Sequence, residues 1–127
     1  MIETKGYREL IVWQTAMHMI PQIYQATDNF PKTERFGLSD QMRRAAVSIA
    51  ANIAEGHGRG SPGEYRYFLG VSRGSLAELD TLLEVAVDLQ YLPGAARDNL
   101  QFQLIDIRKL LFGLHRKVKE SIKQTKR

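Results

Sequence analysis

Residues 45–54 read AAVSIAANIA, and this uncharged run is the strongest indicator of the fold. Most of its side chains are small, and Arg43 and Arg44 stand immediately before it. A helix that is apolar or small on all sides has no face to give to water, so neighbouring elements normally bury it all round. Because small side chains let neighbouring backbones come close, the run predicts the central helix of an all-helical protein. It does not point to a reaction.

Length and composition are ordinary for a globular protein. The chain has 127 residues, of which 43% are hydrophobic and 25% charged, so we expect a single domain over residues 1–127. It contains no cysteine, which excludes disulfides, thiolate metal sites and cysteine nucleophiles. The first residues lack the pattern of a signal peptide, and residues 10–27 are uncharged but too polar for a membrane span. We therefore expect a cytoplasmic protein with no membrane role.

The net charge of +4 is concentrated near the C-terminus. Six of the last twelve residues are basic and one is acidic. A basic tail attracts nucleic acid or an acidic partner. The plainer interpretation is a solvated helix end, whose cations suit the negative end of the helix dipole. At this point both interpretations stay open.

Apolar residues recur with helical spacing in four segments, and no segment alternates for long enough to predict a convincing strand. Pro21 predicts a kink or a local break in the first helix. Ser39 is expected to cap the start of the second helix, and Gly56 to follow its last turn. The predicted helices cover about residues 8–27, 39–56, 62–91 and 95–121.

The boundaries between the later helices are sharp. Ser61 and Glu64 have the spacing of a capping box, with Pro62 at the first helical position. Leu92, Pro93 and Gly94 then interrupt the chain before the fourth helix. Short connections between long helices favour antiparallel neighbours. The fold class is therefore expected to be all-α, an up-down antiparallel four-helix bundle.

The third predicted helix has nearly twice the apolar arc that a monomeric bundle needs, which is roughly 100°. This excess indicates a second partner, most simply another copy of the protein. On the fourth helix, apolar residues lie within a basic face, which suits either an oligomer contact or a nucleic-acid contact. The residues expected at an oligomer interface are Tyr67, Val71, Leu82, Val85, Leu89, Ile105 and Phe112.

Neither metal binding nor catalysis has support in the residue pattern. His18, His57 and His115 lie on different predicted elements and do not have the spacing of a metal site in a bundle. Residues 56–60, GHGRG, resemble a phosphate loop, but no strand precedes them and no Gly-Lys-Ser/Thr follows. A flexible turn is the better interpretation, with an anion site at the next helix start as the alternative. No cofactor and no enzymatic activity are expected.

Polar residues on or near the apolar faces of the second and third helices predict a structural network. Polar groups buried between helices must find partners, and such networks fix the register of packing. Arg43, Arg44 and Arg73 are candidate partners for the carboxylates. If these arginines face outward, they are instead natural phosphate contacts, because the guanidinium matches phosphate geometry. A catalytic interpretation would need a nucleophile or base beside a pocket, and nothing in the sequence marks one. The residues expected in the network are Asn52, Glu55, Arg73, Ser75 and Glu78.

A series of short motifs runs in order from about residue 7 to residue 120. The motifs are LIVWQ at 10–14, IY at 23–24, FP at 30–31, GL at 37–38, QMRRAAVSI at 41–49, NIAEG at 52–56, GSLAEL at 74–79 and LQYL at 89–92. Together they resemble the small bacterial four-helix bundle proteins known as 23S rRNA intervening-sequence proteins. One departure lies at Gln90, where that family often has glycine.

The resemblance implies an up-down bundle that assembles as a ring, commonly a homopentamer, in agreement with the excess apolar arc on the third helix. The accessory proteins of diversity-generating retroelements look similar in fold. They form basic pentameric barrels that bind nucleic acid and a reverse transcriptase. Transfer of that role to this chain is an analogy at the level of the fold.

We therefore expect a non-enzymatic oligomeric bundle that binds structured RNA or other nucleic acid through basic faces repeated around a ring. No helix-turn-helix or stacking module is evident, so strong base-specific readout is not expected. The alternative is a protein–protein scaffold or regulatory adaptor with no nucleic-acid role. The expected nucleic-acid contacts are Arg43, Arg44, Arg59, Arg108, Lys109, Arg116, Lys119 and Lys123.

Overall fold

The computed structural model describes residues 6–125 of the chain, and side chains as far as residue 123. Lys126 and Arg127 of the basic tail lie outside the described residues. The described part contains no strand, and single 3-10 turns precede the first two helices. The predicted all-α, four-helix fold is confirmed. Its helices are α1 (Ile11–Asp28), α2 (Leu38–Gly58), α3 (Pro62–Asp88) and α4 (Gly94–Thr125).

Packing between the helices closes the bundle. Each helix contacts the next one along the chain, and α1 also contacts α4. α2 supplies small and branched core side chains, among them Ala46, Ile49 and Ile53, which are fully buried. The prediction that α2 is buried on every side is not met in the single chain, because Val47 and Ala51 are exposed. None of the described helices is long and apolar enough to cross a membrane.

The predicted role of Gly56 is wrong, because α2 continues past it to Gly58. Gly56 is buried where α2 meets α3, and a Cβ placed on it would lie 2.8 Å from the Cβ of Phe68 and 3.1 Å from the Cδ1 of Tyr65. The glycine therefore permits close helix contact. The left-handed glycine that follows α2 is Gly60, at a φ of +81°.

The start of α2 differs from expectation, and the local break that Pro21 could cause in α1 does not occur. α2 begins at Leu38, after Gly37, so Ser39 lies inside the first turn and is buried. Ser39 therefore does not cap the helix. α1 continues without a break through Pro21. Pro21 and Met17, whose carbonyl loses its helical donor, are both exposed, so water can reach the carbonyl that proline leaves unpaired.

The ends of α3 combine a confirmed prediction with an unusual residue. Ser61 Oγ accepts the backbone N–H of Glu64 at 3.2 Å, as the capping box predicts. α3 ends at Asp88, and Gln90 follows in the left-handed region at a φ of +63°. The N–H of Gln90 donates to the carbonyl of Val87, and that of Tyr91 to the carbonyl of Ala86. This pair of bonds closes a helix and normally places glycine where Gln90 stands.

Candidate nucleic-acid interface

The predicted contacts on α4 are exposed cations on its outer side. None of them forms an ion pair with another described residue. Exposed cations without a carboxylate partner remain available to phosphate oxygens. These residues are Arg108, Lys109, Arg116, Lys119 and Lys123.

Arg43 holds the end of α1 against α2. Its Nε donates to Thr27 Oγ1 at 2.8 Å, and its Nη2 donates to Asp28 Oδ1 at 2.9 Å and to the carbonyl of Tyr24 at 3.2 Å. Its guanidinium also lies 4.7 Å from the centre of the Tyr24 ring. With its donors directed at the chain itself, Arg43 has a structural role, and the geometry disfavours it as a phosphate contact.

The remaining two predicted arginines differ from each other. Arg59 binds the carboxylate of Glu55 at 3.1 Å and approaches that of Glu64 at 3.8 Å. It therefore ties the turn after α2 to the first turn of α3. Arg44 is largely exposed and only approaches Asp40, at 4.0 Å. Of the predicted arginines outside α4, Arg44 has the most exposed side chain and the longest ion-pair distance.

A groove of about 710 Å³ runs between the outer sides of α3 and α4. We call it the α3/α4 groove. Arg108 and Lys109 line it from α4, and Arg73 lines it from α3. Gly70 and Gly74 also line it, and no heavy atom lies within 4 Å of a Cβ built on either glycine. The groove is therefore open along α3 because two neighbouring turns carry no side chain.

Phe112 occupies the centre of this arrangement. Its side chain lines the α3/α4 groove and is 54% exposed. The guanidinium of Arg73 lies 5.9 Å from the ring centre, and that of Arg116 lies 5.7 Å from it. Cations from two helices thus surround one exposed aromatic ring, an arrangement that favours cation–π contact.

The electrostatic effect of these cations is visible at His115. Burial is the largest cause that lowers the pKa of His115, and the charges of Arg73, Arg66 and Lys119 lower it further. Positive charge from the first half of α3 and the last half of α4 therefore converges at one place. We call the group the basic face; its members are Arg66, Arg73, Arg108, Lys109, Arg116, Lys119 and Lys123.

Arg66 and Arg73 of the basic face are outside the main set of predicted nucleic-acid contacts. Arg73 is predicted for the polar network, with a phosphate contact as the alternative if it faces outward, and Arg66 is predicted for no site. The available signal is their seven-residue spacing, which places both on one side of α3. Antiparallel packing then brings the start of α3 beside the end of α4, where Arg116 lies.

The polar network forms around fewer residues than expected. Ser48 Oγ and Ser75 Oγ are 2.7 Å apart, and Asn52 Nδ2 donates to Ser48 Oγ at 2.9 Å. Ser48 is the central member, although it is absent from the predicted set. Glu55, Arg73 and Glu78 are exposed and take no part in this chain of bonds; Glu55 instead pairs with Arg59, as described above.

The glycine-rich segment at residues 56–60 borders a second cavity, of about 460 Å³. Its first three residues belong to α2, so only Arg59 and Gly60 form the predicted turn. His57 lies edge-on to Tyr65, with ring centres 5.6 Å apart. Burial raises the pKa of Tyr65, and its hydroxyl has no hydrogen-bond partner among the described residues. A phenol with a raised pKa is a poor base at neutral pH. Over residues 6–125, no group of three His, Asp or Glu side chains is placed to hold a metal ion.

The comparisons with known proteins agree with this architecture. A family model described as 23S rRNA-intervening sequence protein matches residues 8–113. The chain belongs to this family. A solved structure of a protein of unknown function, from the S23 ribosomal protein family of Bacteroides thetaiotaomicron, superposes with a TM-score of 0.77. It is 20% identical, and the alignment covers 84% of this chain and 96% of the other. No curated protein matches the chain significantly.

The family match confirms the predicted resemblance. Its matched range covers only some residues of the basic face. Its range includes Arg108, Lys109 and Phe112, together with the whole of α3. Residues after 113 lie beyond the matched range, and they include Arg116 and Lys119. At 20% identity the solved structure supports the four-helix fold alone and does not bear on any site.

The apolar residues expected at an oligomer interface lie mainly on the surface. Tyr67 is 66% exposed and Leu89 48% exposed. Val85, Ile105 and Phe112 are also exposed, whereas Val71 and Leu82 are half-buried. Five of these residues follow one stripe along α3, which we call the α3 stripe: Tyr67, Val71, Leu82, Val85 and Leu89.

Proposed function

We propose that this protein is a non-enzymatic, oligomeric helical bundle that binds nucleic acid, with structured RNA as its main ligand, through the basic face. One observation carries the proposal: exposed cations from α3 and α4 converge around the exposed ring of Phe112, and none of those on α4 has a carboxylate partner among the described residues. The family description, which refers to intervening sequences of 23S rRNA, is further support.

Phosphate binding follows from the chemistry of this face. Guanidinium groups match phosphate geometry with two parallel hydrogen bonds, and each neutralised phosphate releases counterions. Arg44 is an additional contact in this proposal, because its charge stays exposed. Arg43 and Arg59 are left out of it, because their guanidinium groups bind residues of the same chain.

Self-association completes the proposal. The α3 stripe presents apolar side chains to solvent on a helix that already buries another face in the bundle. A second copy is the simplest partner for such a surface. A ring, with a homopentamer as the favoured size, would repeat the basic face around its axis, and repeated weak contacts strengthen binding by avidity. The proposed location of this assembly is the cytoplasm.

The test is fluorescence anisotropy with a labelled structured RNA and a labelled DNA duplex across a salt series. Binding should weaken steeply as salt rises, because phosphate contacts release counterions. The double variant Arg108→Gln/Lys109→Gln should lower the slope by about 1 for each phosphate contact that is lost. Lys119→Gln/Lys123→Gln should lower it in the same way. Absence of binding at low salt would overturn the proposal.

A matched control is available at the opposite end of the bundle. Lys32 and Arg35 are exposed and belong to the turn before α2, which contacts the end of α3 through Glu34 and Tyr91. The variant Lys32→Gln/Arg35→Gln removes one lysine and one arginine charge, as Arg108→Gln/Lys109→Gln does. Neither Lys32 nor Arg35 lines the groove. Its salt slope should stay close to that of the unaltered protein. Equal losses in both variants would show net charge alone to be responsible.

The second candidate function is a protein–protein scaffold or regulatory adaptor. Phe102 favours it, since this phenylalanine on α4 is 74% exposed and lies near the exposed side chain of Ile105 in sequence. If subunit contacts bury Ile105 and Phe112, the cations form only a rim around an apolar contact. The substitutions Ile105→Ser and Phe112→Ser would then change the subunit number measured by light scattering.

A further inference from the structure

We infer that the α3/α4 groove holds one unpaired nucleobase, stacked on Phe112, while neighbouring phosphates lie on the basic face. The inference rests on the proposed function and narrows its ligand to a single-stranded segment, such as a loop or bulge of a structured RNA. No stacking module is evident from the sequence, because only the packing of α3 against α4 places this ring beside the cations of both helices.

The exposed ring of Phe112 offers a surface on which a base can stack. Phe112 is 54% exposed and lies in a concave surface, so one side of it is open to a ligand. Stacking of a base on an aromatic side chain contributes about 1–3 kcal/mol per base. Arg73 and Arg116 lie within 6 Å of the ring centre. Guanidinium planes also stack on bases and reach phosphates.

The α3/α4 groove has the size that a base needs. Its volume of about 710 Å³ falls within the range of roughly 300–1,000 Å³ that accommodates small organic ligands. Gly70 and Gly74 leave space on the α3 side, with no atom within 4 Å of either ideal Cβ position. Neither Gly70 nor Gly74 has a positive φ, so the backbone conformation does not require glycine at either position. Both destabilise α3 relative to alanine, and the open groove is the structural consequence.

The charge distribution decides which part of a nucleotide enters. Asp80 also lines the groove, and its Oδ1 accepts a hydrogen bond from Gln101 Nε2 at 3.3 Å. A phosphate next to Asp80 would face this carboxylate. A neutral base meets no such repulsion, and Arg108 and Lys109 can hold the phosphates on either side of it.

The same geometry selects an unpaired base. In a duplex, stacked neighbours cover both faces of each base and the pairing partner covers its edge. Extrusion of a paired base costs a few kcal/mol, whereas a base in a single strand is already free to stack. The groove should therefore prefer single-stranded nucleic acid to a duplex with the same number of phosphates.

Three labelled probes of about twelve nucleotides, within the site sizes typical of single-strand binding, separate base from phosphate contacts. They are a single-stranded RNA, the same strand with abasic sites at its central positions, and a duplex. The single strand should bind at least about fivefold more tightly than the abasic strand, as one stacked base predicts. Equal affinity for these two probes, or tighter binding of the duplex, would overturn the inference.

Substitutions of phenylalanine give the first matched pair. Phe112→Leu keeps an apolar side chain but removes the stacking ring, and it should abolish the preference for the single strand over the abasic strand. Phe102→Leu makes the same change at a more exposed phenylalanine outside the groove lining, and the preference should survive. An unchanged preference in Phe112→Leu contradicts the inference.

Filling the groove gives the second pair. Gly74→Leu places a side chain in the groove, whereas Gly113→Leu places one on α4 outside the groove lining, and both positions have open space around the added Cβ. Circular dichroism should show both variants folded, and only Gly74→Leu should lose the base preference. A change of subunit number in Gly74→Leu would identify the groove as a subunit contact and overturn the inference.

The outcomes also separate this inference from the proposed function. If Arg108→Gln/Lys109→Gln weakens binding while the single and abasic strands bind equally, the function stands and the stacked base is wrong. If none of the three probes binds at low salt, the proposed function itself fails. A third outcome is that the three probes bind with equal affinity and that no charge variant changes the salt slope. The ligand would then lie on another surface.

Discussion

α3 contacts its two neighbours in opposite ways. Against α2, the missing side chain of Gly56 is filled by Phe68 and Tyr65, so the two helices come as close as their backbones permit. Against α4, the missing side chains of Gly70 and Gly74 are filled by nothing, and a groove remains. Both contacts contain glycines in helices, which cost stability. Only the first contact recovers that cost through packing.

The difference separates packing from binding. A glycine at a close helix contact has a sufficient structural explanation, because any larger residue would clash there. A pair of glycines on an open surface has none within the monomer, and the groove they leave contains an aromatic ring and several cations. An open groove lined by an aromatic ring and several cations indicates a site for a ligand or a partner. Four predictions, made with substitutions at five residues, test this comparison.

Gly56→Ala should have the largest effect. Its added Cβ would lie 2.8 Å from the Cβ of Phe68 and 3.2 Å from the carbonyl oxygen of Tyr65, both of which are fixed by the helix backbone. Overpacking of this kind costs about 1–3 kcal/mol. Urea denaturation should show this loss in the free energy of unfolding. Gly58→Ala, with open space around its Cβ, is the control and should be nearly neutral. Equal stability of the two variants would refute the close contact.

Gln90→Gly should have the second largest effect, in the opposite direction. Gln90 adopts a φ of +63° in the turn after α3, a conformation that glycine adopts without steric cost. Relief of that cost should stabilise the protein by about 1 kcal/mol. Gln90→Ala keeps the strain and should leave the free energy of unfolding almost unchanged. If both variants stabilise the protein equally, the left-handed conformation is not the cause.

Gly70→Ala and Gly74→Ala should each stabilise the isolated bundle by a smaller amount. Alanine in an exposed helix interior is favoured over glycine by about 0.5–1 kcal/mol, and neither added methyl group meets another atom. Denaturation at several protein concentrations gives the free energy and reveals any coupling to assembly. Destabilisation that depends on concentration would mean that a second copy fills the groove.

Local signals in the sequence account for the helices and their sharpest boundary. The apolar spacing defines four helices, and the capping box at Ser61 and Glu64 depends only on neighbouring residues. Gly56 shows the limit of these local signals. It begins a glycine-rich segment, where the sequence predicts the end of a helix, but it lies inside α2. Its role depends on contact with Phe68, which the local pattern does not contain.

The basic face shows the same limit at the candidate site. Along α3, Arg66 and Arg73 form one strip with acidic residues such as Asp80, and the strip alone resembles an ordinary solvated surface. Antiparallel packing divides the strip, because its basic half meets the cationic end of α4. Arg43 illustrates the converse: its charge is evident from sequence, but its bonds to the end of α1 are not.

The smallest expected effect on stability is that of His115, which lies beside cations of the basic face, on the α3–α4 side of the bundle. Burial and the charges of Arg73, Arg66 and Lys119 lower its pKa below the ordinary value of 6.5. The folded protein therefore holds this proton less tightly than the unfolded chain does. The stabilising contribution of neutral His115 is complete above the unfolded pKa, and it is lost as the pH falls through the lower, folded pKa.

A bound phosphate should reverse this preference, because its charge offsets the nearby cations and favours the protonated imidazole. We therefore expect a slightly lower melting temperature at about pH 5.5 than at about pH 7.5, and tighter binding of nucleic acid at the lower pH. His115→Gln should remove both dependences, whereas His18→Gln, at an exposed position on α1, should preserve them. If the two variants keep the same dependence of binding on pH, the phosphates do not lie near His115. The nucleic acid would then contact a different part of the bundle from the groove that Gly70 and Gly74 leave open.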